Sequence, residues 1–198
     1  LKMYCLPPAG DAPEMVSKIF VGGFLGTIPK YDGTDQWPVA PEILGDLEDP
    51  ESSTLVFENS SVTGAMFDSG KNETFVLTVP MAYMGDVTTI KLTLYAAQLT
   101  MTLSEDRKSA IGGVIGGVLN TEEFIDQVKK IGWIFQLCSE PIFDDILNEV
   151  RRTSDIMTDG SQDPTKECDG ISIGVHFTMN EVQLGPVAPP AEVGNSCP

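Results

Sequence analysis

Residues 88–103 read TTIKLTLYAAQLTMTL. Ile90, Leu92, Leu94, Leu99, Met101 and Leu103 alternate with Lys91, Thr93, Thr100 and Thr102. Successive side chains on a strand point to opposite faces, so a period of two predicts a half-buried β-strand. The phase shifts around Tyr95-Ala96-Ala97-Gln98, which predicts a bulge at that point.

Upstream of this strand the same signals recur. Residues 1–14 contain Pro7, Pro8, Gly10 and Pro13 and read as an extended arm. Residues 15–28 are rich in β-branched and aromatic types and predict a strand, with Gly22-Gly23 marking a bulge or a close backbone approach. Residues 29–53 are punctuated by Pro29, Pro38, Pro41 and Pro50 and read as loop, packed down by Trp37 and Ile43-Leu44. Residues 54–67 predict one strand or two short ones, 68–72 a turn, and 73–80 a strand, together an antiparallel hairpin.

Downstream the period changes. Asn120 is suited to cap a helix, with Glu123 three residues on as in a capping box. Phe124, Ile125, Val128, Ile131 and Phe135 follow at helical spacing. Pro141 suits the first turn of a second helix, whose apolar stripe is Ile142, Phe143, Ile146, Leu147 and Val150. Residues 157–170 form a polar loop, 171–184 return to strand character, and a Pro/Gly-rich tail follows. Contiguous strands followed by helices argue against a parallel βαβ fold. The expected fold is mainly β in an α+β arrangement: an antiparallel β-sandwich or open barrel with a two-helix insertion before the last strand. A single domain is expected over 1–198, with a β-rich part (1–104), a helical insertion (105–157), and an acidic loop, final strand and tail (158–198).

The four cysteines are Cys5, Cys138, Cys168 and Cys197. Such a set admits three pairings. The expectation is Cys5–Cys197, tying the termini together, and Cys138–Cys168, pinning a helix end to the loop before the last strand. Disulfides persist in oxidising compartments, so the frame points to a secreted or cell-envelope protein. Zinc lacks a nucleus, because there is no C-x-x-C pair and His176 is the only histidine. The chain opens Leu1-Lys2-Met3 without an initiator Met and reads as a trimmed product of export. No run of about 18 apolar residues predicts a transmembrane helix.

Twelve basic residues against 29 acidic ones give a net charge of −17. Phosphate contacts need clustered Lys and Arg, so nucleic acid is not an expected partner, and an anionic membrane surface is disfavoured. Hydrophobic content of 41% excludes wholesale disorder.

The loop 159–170 is the sharpest candidate site. Calcium takes several oxygen ligands, and Asp159, Asp163 and Asp169 on a Gly-bearing loop offer them, with Asp155 just upstream. The spacing is not that of an EF-hand, and the alternative is a solvated loop whose Asp-Gly steps are turns. Tyr31-Asp32-Gly33-Thr34-Asp35 is a weaker version of the same pattern. Gly112/Gly116 and Gly113/Gly117 fall four apart; if helical, they leave a smooth face for packing, or for lining a cavity. They match neither a Walker A loop nor G-x-G-x-x-G. His176 stands on the final strand with Ser172, Gly174, Thr178 and Asn180 on its face, but no G-x-S-x-G elbow accompanies it. Asp144/Asp145 and Glu122/Glu123 are carboxylate pairs that read as solvated helix faces. Asn59 and Asn72 fit the N-x-[ST] acceptor pattern.

Thr158-Asp159-Gly160, Asp163-Pro164-Thr165, Cys168-Asp169-Gly170-Ile171-Ser172-Ile173-Gly174 and Leu184-Gly185-Pro186-Val187-Ala188-Pro189-Pro190 follow the Gly-rich run Gly112–Leu119. This C-terminal part of the chain resembles uncharacterised exported proteins and lipoproteins of myxobacteria and related bacteria. The resemblance implies export and association with the envelope or exterior. It implies no activity, and the chain shows no lipobox cysteine.

With no catalytic signature, the expected function is that of a non-catalytic extracellular or cell-envelope protein. Its role would be structural or adhesive, as a subunit of a surface assembly, with itself or other envelope proteins as partners. Two alternatives are a module binding a small apolar ligand between sheet and helices, and a hydrolase with dispersed carboxylates.

Overall fold

The computed structural model describes residues 1–70, 73–83, 86–190 and 194–198. Among them the strands are β1 (Lys2–Met3), β2 (Ala12–Lys18), β3 (Gln36–Val39), β4 (Val56–Thr63), β5 (Met66–Asp68), β6 (Glu73–Tyr83), β7 (Asp86–Leu103) and β8 (Ser109–Asn120). The helices α1 (Thr121–Ile134) and α2 (Pro141–Arg152) follow, then β9 (Gly170–Asn180) and β10 (Gln183–Val187). The expected class is observed: antiparallel β predominates and two helices precede the last strands. The main sheet runs β1-β2-β4-β5-β7-β8-β9, with β6 also paired to β7. One pair, β10 with β3, is parallel.

Two compact units emerge from the fold. Unit one comprises Leu1–Lys71, Gln98–Ile115 and Gly174–Pro190; unit two comprises Asn72–Ala97, Gly116–Ile173 and Ala191–Pro198. The boundary falls within β7, β8 and β9.

In unit one a buried row crosses four strands. Ala12 faces Val62, Val62 faces Phe67, and Phe67 faces Met101, and all four are buried. Cross-strand apolar neighbours of this kind fix register, because a one-residue slip would turn every member to the other face. Ser17 and Ser60 are buried in the same sheet, and their hydroxyls hydrogen-bond each other at 2.5 Å. Each thereby satisfies a group that would be costly to leave unpaired.

In unit two β6 pairs with β7 from Tyr83↔Asp86 to Phe75↔Leu94, and then Glu73 faces Ala97. Tyr95 and Ala96 therefore oppose the single residue Thr74, one extra residue on β7, and Ala96 has a φ of 47°. The expected bulge is there. The hairpin expected over 54–80 is not: β4 turns back into β5, β5 pairs with β7, and β6 pairs with β7 further along. β7 is long enough to serve both partners in succession.

Asn120 caps α1, its Oδ1 accepting the Glu123 N–H at 3.1 Å. Pro141 begins α2. Ile125, Phe143 and Leu147 are buried together with Cys197, and Val128, Leu137, Cys138 and Val150 pack around them. The part of 105–157 expected to be helical begins later than the composition suggested, because 109–120 is strand β8. Its glycines serve packing, as expected, but in a strand. A Cβ on Gly113 would strike the Phe177 ring, and one on Gly117 would lie 3.3 Å from Leu94 Cβ.

The disulfide expectation is corrected. Cys138 bonds Cys197, with a Cα–Cα distance of 5.3 Å, and Cys5 and Cys168 are free. The reason is the path of the chain around α1. The loop carrying Cys168 is fixed at the start of α1, where the Thr121 N–H donates to Asp169 O. Cys138 lies past the other end, and a helix of 14 residues separates its ends by roughly 20 Å, beyond any disulfide. The C-terminal segment instead crosses α1, the Cys197 N–H donating to Lys129 O at 3.1 Å. β9 does not pair with an N-terminal strand either; it neighbours β8.

Candidate functional site

Three segments of unit one build an open cavity. The Trp37 face of β3 is flanked by β10 on one side, with Gln183↔Gln36 and Leu184↔Trp37 in register. On the other side lies the segment after β2, where Gly22 bridges Val39, the Gly23 N–H donates to Pro38 O and the Ala40 N–H donates to Val21 O. The Trp37 Nε1–H donates to Gly23 O at 2.9 Å, which satisfies the indole and orients its ring. Gly22 must be glycine for this: a Cβ there would sit 2.6 Å from Trp37 Nε1. A Cβ on Gly23 would lie 2.7 Å from Ala188 Cβ. The close approach expected at Gly22-Gly23 is thus the feature that seats the tryptophan.

The resulting pocket has a volume of about 680 Å³ and is open to solvent. Phe20, Val21, Trp37, Pro38, Val39, Val182 and Leu184 supply an apolar lining. Lys2, Glu51 and Gln183 give it a polar rim, and Lys2 Nζ stands 2.6 Å from Glu51 Oε1. A volume of this size lies within the range of small-molecule sites, and an apolar wall with few polar groups is their usual composition. Its charged groups are Lys2 and Glu51, paired with each other at the rim. Sequence reasoning put β3 in a loop punctuated by Pro38, and split β10 between the end of the 171–184 strand and the Pro/Gly-rich tail. Trp37 beside a Gly-Gly step was the available signal.

The expected alternative places a ligand between sheet and helices. Between β7 and α1, a void of about 10 Å³ is bordered by Lys91, Leu92, Leu119 and Phe124. That is room for about one water. The Lys91 N–H donates to Gln127 Oε1 and the Tyr95 hydroxyl to Glu123 Oε1, closing the seam with polar contacts.

The acidic loop does not assemble a cation site. Asp159 Oδ1 accepts the Ser161 N–H, Asp163 Oδ1 accepts the N–H and hydroxyl of Thr165, and Asp169 Oδ1 accepts the Thr158 N–H. Asp159 and Asp163 each brace their own turn, the side-chain-to-backbone contact that Asp favours, whereas Asp169 ties the two ends of the loop together. Among the described residues no three His, Cys, Asp or Glu side chains converge as metal ligands. Asp159, Asp163 and Asp169, expected as calcium ligands, are not brought together as one ligand set. The Ser161 and Thr165 hydrogen bonds hold Asp159 and Asp163 below the usual carboxylate range. Asp155 is lowered likewise by Ser172, whose hydroxyl and N–H both donate to it. The weaker candidate behaves the same way: Asp32 accepts from Thr34, and the buried Asp35 accepts the N–H groups of Lys30 and Tyr31.

The remaining candidates separate. Glu122 Oε1 accepts Arg151 Nε at 2.7 Å, a contact that lowers Glu122 and raises Arg151. Glu123 accepts from Tyr95 instead, which raises the Tyr95 hydroxyl. The two adjacent glutamates therefore do not act on one point. The Glu122–Arg151 pair lines a polar crevice of about 330 Å³ in unit two with Ser154, Glu167, Cys168 and Asp169. His176 is exposed on β9. Asn59 is exposed on β4 rather than in a turn, and Asn72 lies outside the described residues. No described helix is long and apolar enough to cross a membrane.

Comparison of the chain with protein-family models, curated proteins and solved structures finds no match.

Proposed function

We propose that this chain is a non-catalytic module of the cell exterior or envelope that holds an apolar ligand against Trp37. The observation that carries the reading is the unit-one pocket, with its apolar wall from Phe20 to Leu184 and its single polar rim at Lys2, Glu51 and Gln183. A ligand with an apolar body and one polar end matches that distribution. Burial of apolar area is worth roughly 25 cal/mol per Å², so a flat apolar body stacked on Trp37 gains affinity without a formal charge. The Cys138–Cys197 bond supports an oxidising compartment, and with it export.

Nile red tests the pocket. Trp133→Phe leaves Trp37 as the only tryptophan of the two, so energy transfer from it reports on the site. Val182 is 41% exposed at the lining, and Val182→Glu sets a carboxylate there without disturbing the core. Saturable transfer that weakens at least tenfold in V182E is the expected result. Equal binding by both proteins, or no saturable binding, refutes the reading. Native mass spectrometry of gently purified protein provides a second check through retained ligand mass.

A structural or adhesive role is the second reading, favoured by apolar side chains left on the helical surface. Trp133, Phe135, Ile142 and Ile146 are 42%, 43%, 61% and 37% exposed. Exposed apolar groups of this kind mark contact surfaces. A strict monomer by light scattering at high concentration would count against assembly through that face.

A further inference from the structure

Phe24 and Ile28 are 93% and 90% exposed, the most exposed large apolar side chains of the described residues, and both lie on the loop between Gly23 and Asp35. Tyr31, on the same loop, is 57% exposed. Slack does not explain this. The loop is fastened at its base, where the buried Asp35 carboxylate accepts the Lys30 and Tyr31 N–H groups at 2.9 and 2.8 Å. At its other end the Gly23 N–H donates to Pro38 O, and Gly23 O accepts the Trp37 indole. Gly26, Tyr31 and Gly33 take positive φ values that shape the loop between these ties. A braced loop that holds two large apolar groups in water suits a partner surface.

Charge indicates which partner. The chain has a net charge of −17, yet no acidic residue occurs between Glu14 and Asp32, and that stretch carries Lys18 and Lys30. An apolar tip followed by Lys30 and Tyr31 matches the order of a lipid surface: acyl chains, then the headgroup level where Tyr and Lys are at home. A second copy of this chain would bring another net charge of −17 against the first, which disfavours it.

We propose that the Phe24–Tyr31 loop docks this protein on an electrically neutral, zwitterionic lipid surface, with Phe24 and Ile28 entering the acyl region and Lys30 meeting phosphate. The tip from Phe24 to Tyr31 carries Lys30 and no acid, with Asp32 following it, so such a surface can approach, whereas the charge of the whole chain opposes a strongly anionic one. The inference is independent of what the unit-one pocket holds.

Flotation with phosphatidylcholine vesicles tests it. The protein should float with them, and float less with vesicles rich in phosphatidylglycerol at low salt. Losing each apolar anchor weakens partitioning on the order of tenfold, so F24S/I28S should weaken it about a hundredfold. Both positions are exposed, so an unchanged melting curve establishes that the variant folds. Trp133→Ser removes an exposed apolar group from α1 and should float as the parent does. Failure of the parent to float overturns the proposal, as does equal flotation of F24S/I28S. A concentration-dependent dimer that F24S/I28S abolishes, without flotation of the parent, would reassign the loop to protein contact and also overturn it. Because F24S/I28S leaves the pocket lining intact, Nile red binding separates failure here from failure of the pocket reading.

Discussion

Removing the Cys138–Cys197 bond should destabilise unit two by a large and calculable amount. The bond closes a loop of 59 residues. In the chain-entropy account, a loop of that size contributes about 4 kcal/mol by restricting the unfolded chain. Cys197 is 5% exposed and packs with Ile125, Phe143 and Leu147, so its loss also loosens an apolar cluster. A Cβ on Gly132 would meet both the Phe143 ring and Cys197 Sγ, which shows how closely the C-terminal segment lies on α1. With the bond gone, the Cys197 N–H to Lys129 O hydrogen bond is the remaining polar tie in that segment that the structure records. At a urea dependence of about 2 kcal/mol per M, C138A/C197A should shift the unfolding midpoint by about 2 M. C5S/C168S should shift it little, since Cys5 is exposed and Cys168 half-buried. Urea titration followed by circular dichroism measures both. Thiol titration of the unfolded, unreduced chain should count two free thiols, and non-reducing peptide mapping should link Cys138 to Cys197. A midpoint shift below about 0.5 M, or a peptide linking Cys138 to Cys168, refutes the reasoning.

Asn120→Ala removes the α1 cap and should cost about 1 kcal/mol, read as a lower urea midpoint; Asn120→Asp should restore most of it. The Ser172 hydrogen bonds lower Asp155, so its charged form is favoured in the folded state. Its contribution is complete above the unfolded carboxylate value of about 3.9 and is lost as pH falls through the lower folded value. Ser172→Ala should therefore flatten the acid limb of the stability profile and leave the neutral region nearly level with it. Asp159 and Asp163 accept from their own turns and Asp169 from the Thr158 N–H, so adding calcium or a chelator should leave the melting temperature in place; a chelator-induced fall would support a cation site.

Features set by neighbouring residues were legible in the sequence. The alternation of β7 and its bulge, the Asn120 cap and the Pro141 start all follow from side-chain chemistry within a few positions. What escaped depends on distant partners. The spacing of Gly112, Gly113, Gly116 and Gly117 fits a helix as well as a strand, and only the Phe177 and Leu94 neighbours decide for the strand. The cysteine pairing depends on the path of residues 194–198 across α1, and no local pattern encodes a path. β3 and β10 each contain a proline, and their parallel ladder exists only because each supplies what the other lacks. The loop aspartates stand apart for a related reason: a carboxylate on a tight loop can reach nearby backbone before it can reach another carboxylate.

The parallel pairing of β3 with β10 also sets an order of assembly. Gln36 must wait for Gln183 to be synthesised before the pocket has its second wall. Contacts this far apart in sequence carry the largest loop-closure cost and form late. The disulfide closes late as well, because Cys197 lies further on still. A nascent chain can therefore complete the Ala12–Val62–Phe67–Met101 row long before it can hold anything against Trp37. A ligand held there as proposed would distinguish chains made through β10 from shorter ones.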